Sequence, residues 1–206
     1  MGAAVALSSL LDARQVWRGR AAPIPAGDQP TGWPELDAVL PSGGWPDASL
    51  SEVLSAADGT GELRLVLPTV KRLTAGKRPV LLIAPPYAPC VAGWRQAGVQ
   101  MGRVQIVRTL EKDALWAAEQ CLRSGSCAAV LLWPRHADDR ALRRLQVAAD
   151  TGKALGIVFR DRQHVGHASP AALRLEVEPD PGQIWVRKCR GGAVPSHAVP
   201  FPALTH

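Results

Sequence analysis

The sequence predicts an α/β domain: a mostly parallel sheet flanked by helices, closed by a C-terminal antiparallel hairpin. Short apolar runs, "VLLIA" and "AAVLLW" among them, alternate with longer amphipathic stretches, the pattern of a parallel sheet covered on both faces. Two alternating runs flank Asp180-Pro181-Gly182 near the end, which reads as a hairpin. At 206 residues the chain can bury one sizeable core.

Taken in order, Ser8 or Ser9 can cap a first helix carrying Leu10, Ala13 and Trp17 on one face. "RGRAAPIPAGDQP" is an extended linker, because its prolines and glycine exclude regular structure. "TGWPELDAVLPSGGWP" is a brief helix closed at Gly43-Gly44, and "SLSEVL" a strand. "LRLVLPTVKRL" is a helix that Pro68 should kink by removing a backbone donor. Then come the strand "RPVLLIA", the helix "APCVAGWRQAG", the strand "VQIVR" and the helix "EKDALWAAEQCLRSG", whose charges suit its dipole and whose Gly125 suits a left-handed cap. Strand "AAVLLW", helix "DDRALRRLQVAADTG" (with the same polarity of charge), strand "ALGIVF" and the basic loop "RDRQHVGHASP" lead to the hairpin strands "ALRLEVEP" and "QIWVRKC". The division expected is residues 1–30 as an N-terminal arm and linker, 31–192 as the core, and 193–206 as a loose tail.

A net charge of +6 is compatible with an acidic partner, nucleic acid included, and equally with Arg-rich composition alone. No run approaches a membrane span, and the start does not resemble a secretion signal, so a cytoplasmic location is expected. Cys90, Cys121, Cys127 and Cys189 form no metal-ligand spacing and read as free buried thiols. His136 and His197 have no nucleophile partner, so no catalytic residue and no metal site are expected.

"SAADGTGELRLVL" has the layout of a phosphate loop, strand then glycines then helix. Matched to G-x-x-x-x-G-K-[ST] over Ala56 to Leu63, however, it conforms only at Gly61. Glu62 stands where a lysine would reach the phosphates, and Leu63 where a hydroxyl would hold Mg²⁺. Two unit charges about 4 Å apart interact by roughly 1–4 kcal/mol, so reversing the sign is costly for an anion. Glu62 would instead serve as the counter-charge of its own helix N-terminus. No cofactor is expected, and Lys71 and Lys77 lie too far along to substitute.

With this order of elements the chain resembles the RecA recombinase core over about residues 31 to 190, on the Thr31-Gly32, Leu36-Asp37 and Gly43-Gly44-x-Pro46 stretch before the Glu52 strand. The resemblance implies a RecA-like, P-loop-type core that has lost its ATPase. Pro86 stands where that family has its water-activating glutamate, and Trp133-Pro134 where the Walker B acid would be. Two bacterial DNA-damage-response families have such a core. The chain looks most like ImuA, on "VWRGR", the Thr-Gly to Gly-Gly-x-Pro stretch and "GTGELRLVLP"; "QAGVQMGRVQIV" through "ALGIVFR" also resembles SulA. The first likeness implies a non-enzymatic SOS adaptor in error-prone translesion synthesis. It would bind the polymerase-like ImuB and also RecA, and reach an error-prone replicative-type polymerase indirectly. The second implies a cell-division inhibitor that binds the tubulin-like FtsZ.

Seven tryptophans stand out. Trp17, Trp33 and Trp45 are interface candidates, Trp33 and Trp45 having lid-like packing on the sheet as the other reading. Trp94 and Trp116 read as core, and Trp133 as a plug of the vacated nucleotide cleft. Arg160, Arg162, His164 and His167 make a basic loop where the RecA resemblance implies a DNA-binding element, and Arg187, Lys188 and Arg190 extend it. Such a patch contacts phosphates without reading sequence; a solvated basic edge is the other reading.

Overall fold

The computed structural model describes Gly27 and residues 29–201. Trp17, the first helix and most of the expected N-terminal arm lie outside the described residues. The elements are α1 (Pro34–Val39), β1 (Leu50–Ser55), α2 (Glu62–Thr74), β2 (Val80–Ile83), α3 (Val91–Gln96), β3 (Val104–Val107), α4 (Glu111–Arg123), β4 (Ala129–Leu132), α5 (Asp139–Gly152), β5 (Leu155–Asp161), β6 (Leu173–Glu178), β7 (Gln183–Cys189) and β8 (Val199–Pro200). They form one eight-stranded sheet in the order β3-β2-β4-β5-β1-β6-β7-β8. The strands from β3 to β6 in that order run parallel; β7 and β8 are antiparallel additions.

Side-chain alternation along the strands separates two cores. Val53, Leu82, Leu131 and Ile157 face one way, toward α1, α2 and α3. Leu50, Ile83, Val130 and Val158 face the other, toward α4 and α5. Burial on both faces explains why these strands read as continuous apolar runs. The helices α4 and α5 touch closely at Gly152, where a Cβ would lie 1.8 Å from the Leu122 carbonyl oxygen. That glycine stays inside the helix, and Lys153 takes the left-handed position after it. The charge polarity expected of α5 holds only at its start, where Asp138 caps it by accepting from the Ala141 amide at 2.7 Å; its last turn has no basic residue.

Pro68 lies within α2 because its ring packs on Gly32, whose φ of +88° and missing Cβ let the Thr31–Trp33 backbone run against it. This stretch is built in further: Thr31 Oγ1 donates to Asp37 Oδ1 at 2.7 Å and the Trp33 indole to the Leu65 carbonyl at 2.9 Å. Trp45 is fully buried and donates to Thr69 Oγ1 at 2.8 Å. The lid-like packing of Trp33 and Trp45 is therefore what the fold adopts, and Trp45 has no surface to offer a partner.

Three further expectations are corrected. The tail is anchored as far as residue 201: β8 pairs with β7, and buried Phe201 packs edge-on against Trp33 at 4.7 Å. Arg64 also lies 3.7 Å over the Phe201 ring. Trp116 is 64% exposed rather than core, because α4 buries Ala114, Ala118 and Leu122 instead. Cys90 is exposed, while Cys127 is buried, its thiol pushed up to about 11 first by burial and then by neighbouring Cys121.

Candidate functional site

The carboxyl ends of the parallel strands carry three features: a turn, a charged cluster and a cleft. The turn follows β1. Gly59 and Gly61 have φ of +82° and +114°, so the chain reverses tightly into α2. Glu62, the first residue of α2, is buried and folds back, accepting the Gly59 amide on Oε1 at 2.6 Å. A carboxylate thus occupies the helix N-terminus beside Ala56, Gly61 and Leu63, as the charge at that position implied. Its Oε2 is buried without a hydrogen-bond partner among the described residues.

The cluster lies on the α5 side. Glu52 of β1 is fully buried between two guanidinium groups, Arg160 of β5 at 2.9 Å and Arg174 of β6. Arg160 also donates to the Ala137 carbonyl, and Arg174 to the carbonyls of His164, Val165 and His167. The loop after β5 is therefore clamped from beneath. Burial, then the positive charge of Arg160, lowers the pKa of His164.

These contacts take apart the expected basic surface. Arg160 is buried and paired. Arg187 is 2.6 Å from Glu176, and Arg162 lies 3.3 Å from the same carboxylate and 3.7 Å from Glu178. Lys188 donates to the Ser169 carbonyl at 2.5 Å, its pKa lowered chiefly by burial. Arg190 is exposed and donates to the Pro170 carbonyl at 3.4 Å. Glu52, Glu176 and Glu178 were readable as strand residues; that the two arginines of the Glu52 cluster come from β5 and β6 was not.

The cleft, about 920 Å³, opens at the ends of β2, β4 and β5. Trp133 and Phe159 stack at 4.4 Å along one side, and Pro85, Pro86, Tyr87 and Pro134 stand around it. Pro86 follows β2 and Trp133-Pro134 follow β4, and Trp133 lines the space instead of plugging it. The crossover after β2 passes through α3 on one face, and the crossover after β4 through α5 on the other. The cleft therefore sits at the topological switch point, the usual binding crevice of an open α/β sheet. Sequence reasoning missed it as a site; the signal available was Pro85, Pro86 and Trp133-Pro134 at the ends of two neighbouring buried strands.

Fold and site together define a doubly wound α/β protein with an open crevice at the switch point and a strand-end turn closed by its own carboxylate. The family model described as cell division inhibitor SulA matches residues 48–156, more than half of the chain, from β1 into β5. The chain belongs to the SulA family. It is 26% identical over 125 residues to the cell division inhibitor SulA of Serratia proteamaculans (strain 568), covering 58% of this chain and 74% of that protein. It is also 29% identical to SulA from Pseudomonas aeruginosa in its crystal structure, with a TM-score of 0.47 over 56% of this chain and 99% of that one. The family membership supports the SulA likeness of the sequence and does not extend to ImuA.

Proposed function

We propose that this protein is a non-enzymatic inhibitor of cell division that acts by stoichiometric capture of a protein partner, the tubulin-like FtsZ. The observation that carries it is the SulA family match over β1 to α5, which includes most of the cleft. The turn chemistry agrees: with Glu62 seated at the head of α2, an outer phosphate would meet a carboxylate. Purified protein should suppress FtsZ polymerisation, followed by light scattering, at near one-to-one ratio. Undisturbed assembly at fivefold excess sinks the reading. Mg-ATP should leave the thermal midpoint unmoved; a saturable rise would point to a nucleotide site instead.

A second reading, an adaptor of translesion synthesis that binds ImuB and RecA, draws on one observation. The Thr31–Pro46 segment, one of three stretches that carry the ImuA likeness, lies outside the matched residues and is built into the core through Trp33 and Trp45, whereas "GTGELRLVLP" lies inside them. Co-purification with ImuB, in the absence of any effect on FtsZ, would favour it. Contact with DNA finds little support, because the basic residues of the loop and last strand are largely neutralised by their own acids.

A further inference from the structure

The sheet has one guarded edge and one open edge. β8 forms the first with two residues, one of them Pro200, and a short strand bearing proline discourages further pairing. β3, Val-Gln-Ile-Val, forms the other with no proline or charge inside it, and among the described residues it pairs only with β2. The Val107 carbonyl accepts the Ala84 amide, so the alternation of the strand turns the amide and carbonyl of Ile106 outward. Strands β1, β2 and β4 are buried throughout, whereas every residue of β3 keeps some exposure. The Ile106 side chain, in register with Leu82 on the α3 side, is 41% exposed.

Charge narrows what can pair there. No acidic residue lies between Glu62 and Glu111, while the same stretch has eight lysines and arginines. It supplies α2, β2, α3 and β3. None of the eight forms an ion pair among the described residues, in contrast to the basic residues of β5 to β7. Arg103 and Arg108 bracket β3 and are exposed; Arg103 donates to the Lys77 carbonyl at 2.8 Å, which leaves its charge uncompensated. A second copy centred antiparallel on β3 would set Arg103 against Arg108 at both ends, a repulsive pairing. A strand with carboxylates toward its ends is attracted at both instead. The outward backbone groups and bare Ile106 match another polypeptide backbone with an apolar side chain, rather than a phosphate chain.

We propose that the β3 edge receives an extended, acidic segment of a partner protein, which adds a strand to the sheet, covers Ile106 and sets carboxylates against Arg103 and Arg108. This goes beyond the division reading and does not depend on it. The test uses full-length protein and a positional-scanning library of eight-residue synthetic peptides. Selected peptides should carry β-branched or aromatic residues at alternate positions and Asp or Glu toward their ends. Methylating the backbone nitrogens of the selected peptide at alternate positions, in the frame that faces the edge, should weaken it about tenfold or more. Arg103→Glu combined with Arg108→Glu, both at exposed sites, should weaken it about tenfold, and wild-type affinity should fall as salt rises. Hydrogen exchange at the Ile106 amide should slow when the peptide is added.

No selected peptide, selection without acids, or affinity unchanged by either methylation frame or by the double arginine change would each overturn the proposal. So would another occupant of the edge: a dimer that Ile106→Asp dissolves, or a single-stranded oligonucleotide that binds more tightly than any peptide and is lost in the double arginine variant. The two readings fail separately. Acidic peptide selection without any effect on FtsZ supports the edge and removes the division reading. Inhibition of FtsZ without peptide selection removes the edge proposal alone.

Discussion

Two strand ends of the same sheet have been finished in opposite ways. At the end of β1 charged groups are folded inward: Glu62 turns back onto the Gly59 amide through Oε1, its Oε2 buried without a partner among the described residues, and Glu52, on the α5 side, holds Arg160 and Arg174. At the ends of β2 and β4 the chain leaves a cleft and a buried indole N–H with no acceptor among the described residues. The first region gathers buried charges into an ion-paired cluster, and the second buries a neutral donor beside an open cleft. Stability should therefore be sensitive to polar changes around β1 and insensitive to them at Trp133.

The largest effect should come from Glu52→Gln. Removing the charge leaves two buried guanidinium groups uncompensated, a loss of about 3–5 kcal/mol by urea unfolding. A change under about 1 kcal/mol would mean that the cluster is not the clamp its geometry indicates. Trp45→Phe should cost about 2 kcal/mol, from the lost bond to Thr69 and the smaller ring in a fully buried site. Glu62→Ala should cost about 1 kcal/mol through the Gly59 amide.

Smaller still is a pH effect at His164. Its folded pKa lies below the usual value near 6.5, so the unfolded chain binds the proton more readily. The contribution is fully present above the unfolded pKa and is lost as pH falls from there through the folded pKa. Stability measured across that window should decline with acid, and His164→Gln should flatten the decline. The smallest effect is the sharpest contrast: Trp133→Phe should leave stability within about 0.5 kcal/mol, or raise it, because the N–H removed has no partner to lose. A cost equal to that of Trp45→Phe would erase the distinction between the two ends. Thiol labelling gives a separate check: exposed Cys90 should react first and Cys127 last.

Much of the fold was legible because apolar period and turn chemistry are local. Strands such as "AAVLLW" and the reversal at Gly59 and Gly61 follow from neighbouring residues, and so does the place of Glu62 at the head of α2. The site was legible only in fragments. Arg160 and Arg187 read as a basic surface because nothing near them in sequence reveals that Glu52, 108 residues before Arg160, and Glu176 would meet them. Trp116 read as core because it sits in an amphipathic helix; which side of α4 is buried depends on α5, approached through Gly152.

By itself the sequence determined the alternation of strand and helix, the terminal hairpin, and the acidic residue at the turn after β1. All of these depend on residues within a few positions of one another. The tertiary structure alone decided which charges are neutralised, which tryptophans are buried, that the tail is anchored through Phe201, and that the proline-bearing ends of two adjacent strands border one cleft. Those outcomes depend on the strand order, which brings β1, β5 and β6 side by side and seats β2 beside β4. Pairing between residues a hundred positions apart leaves no periodic trace along the chain.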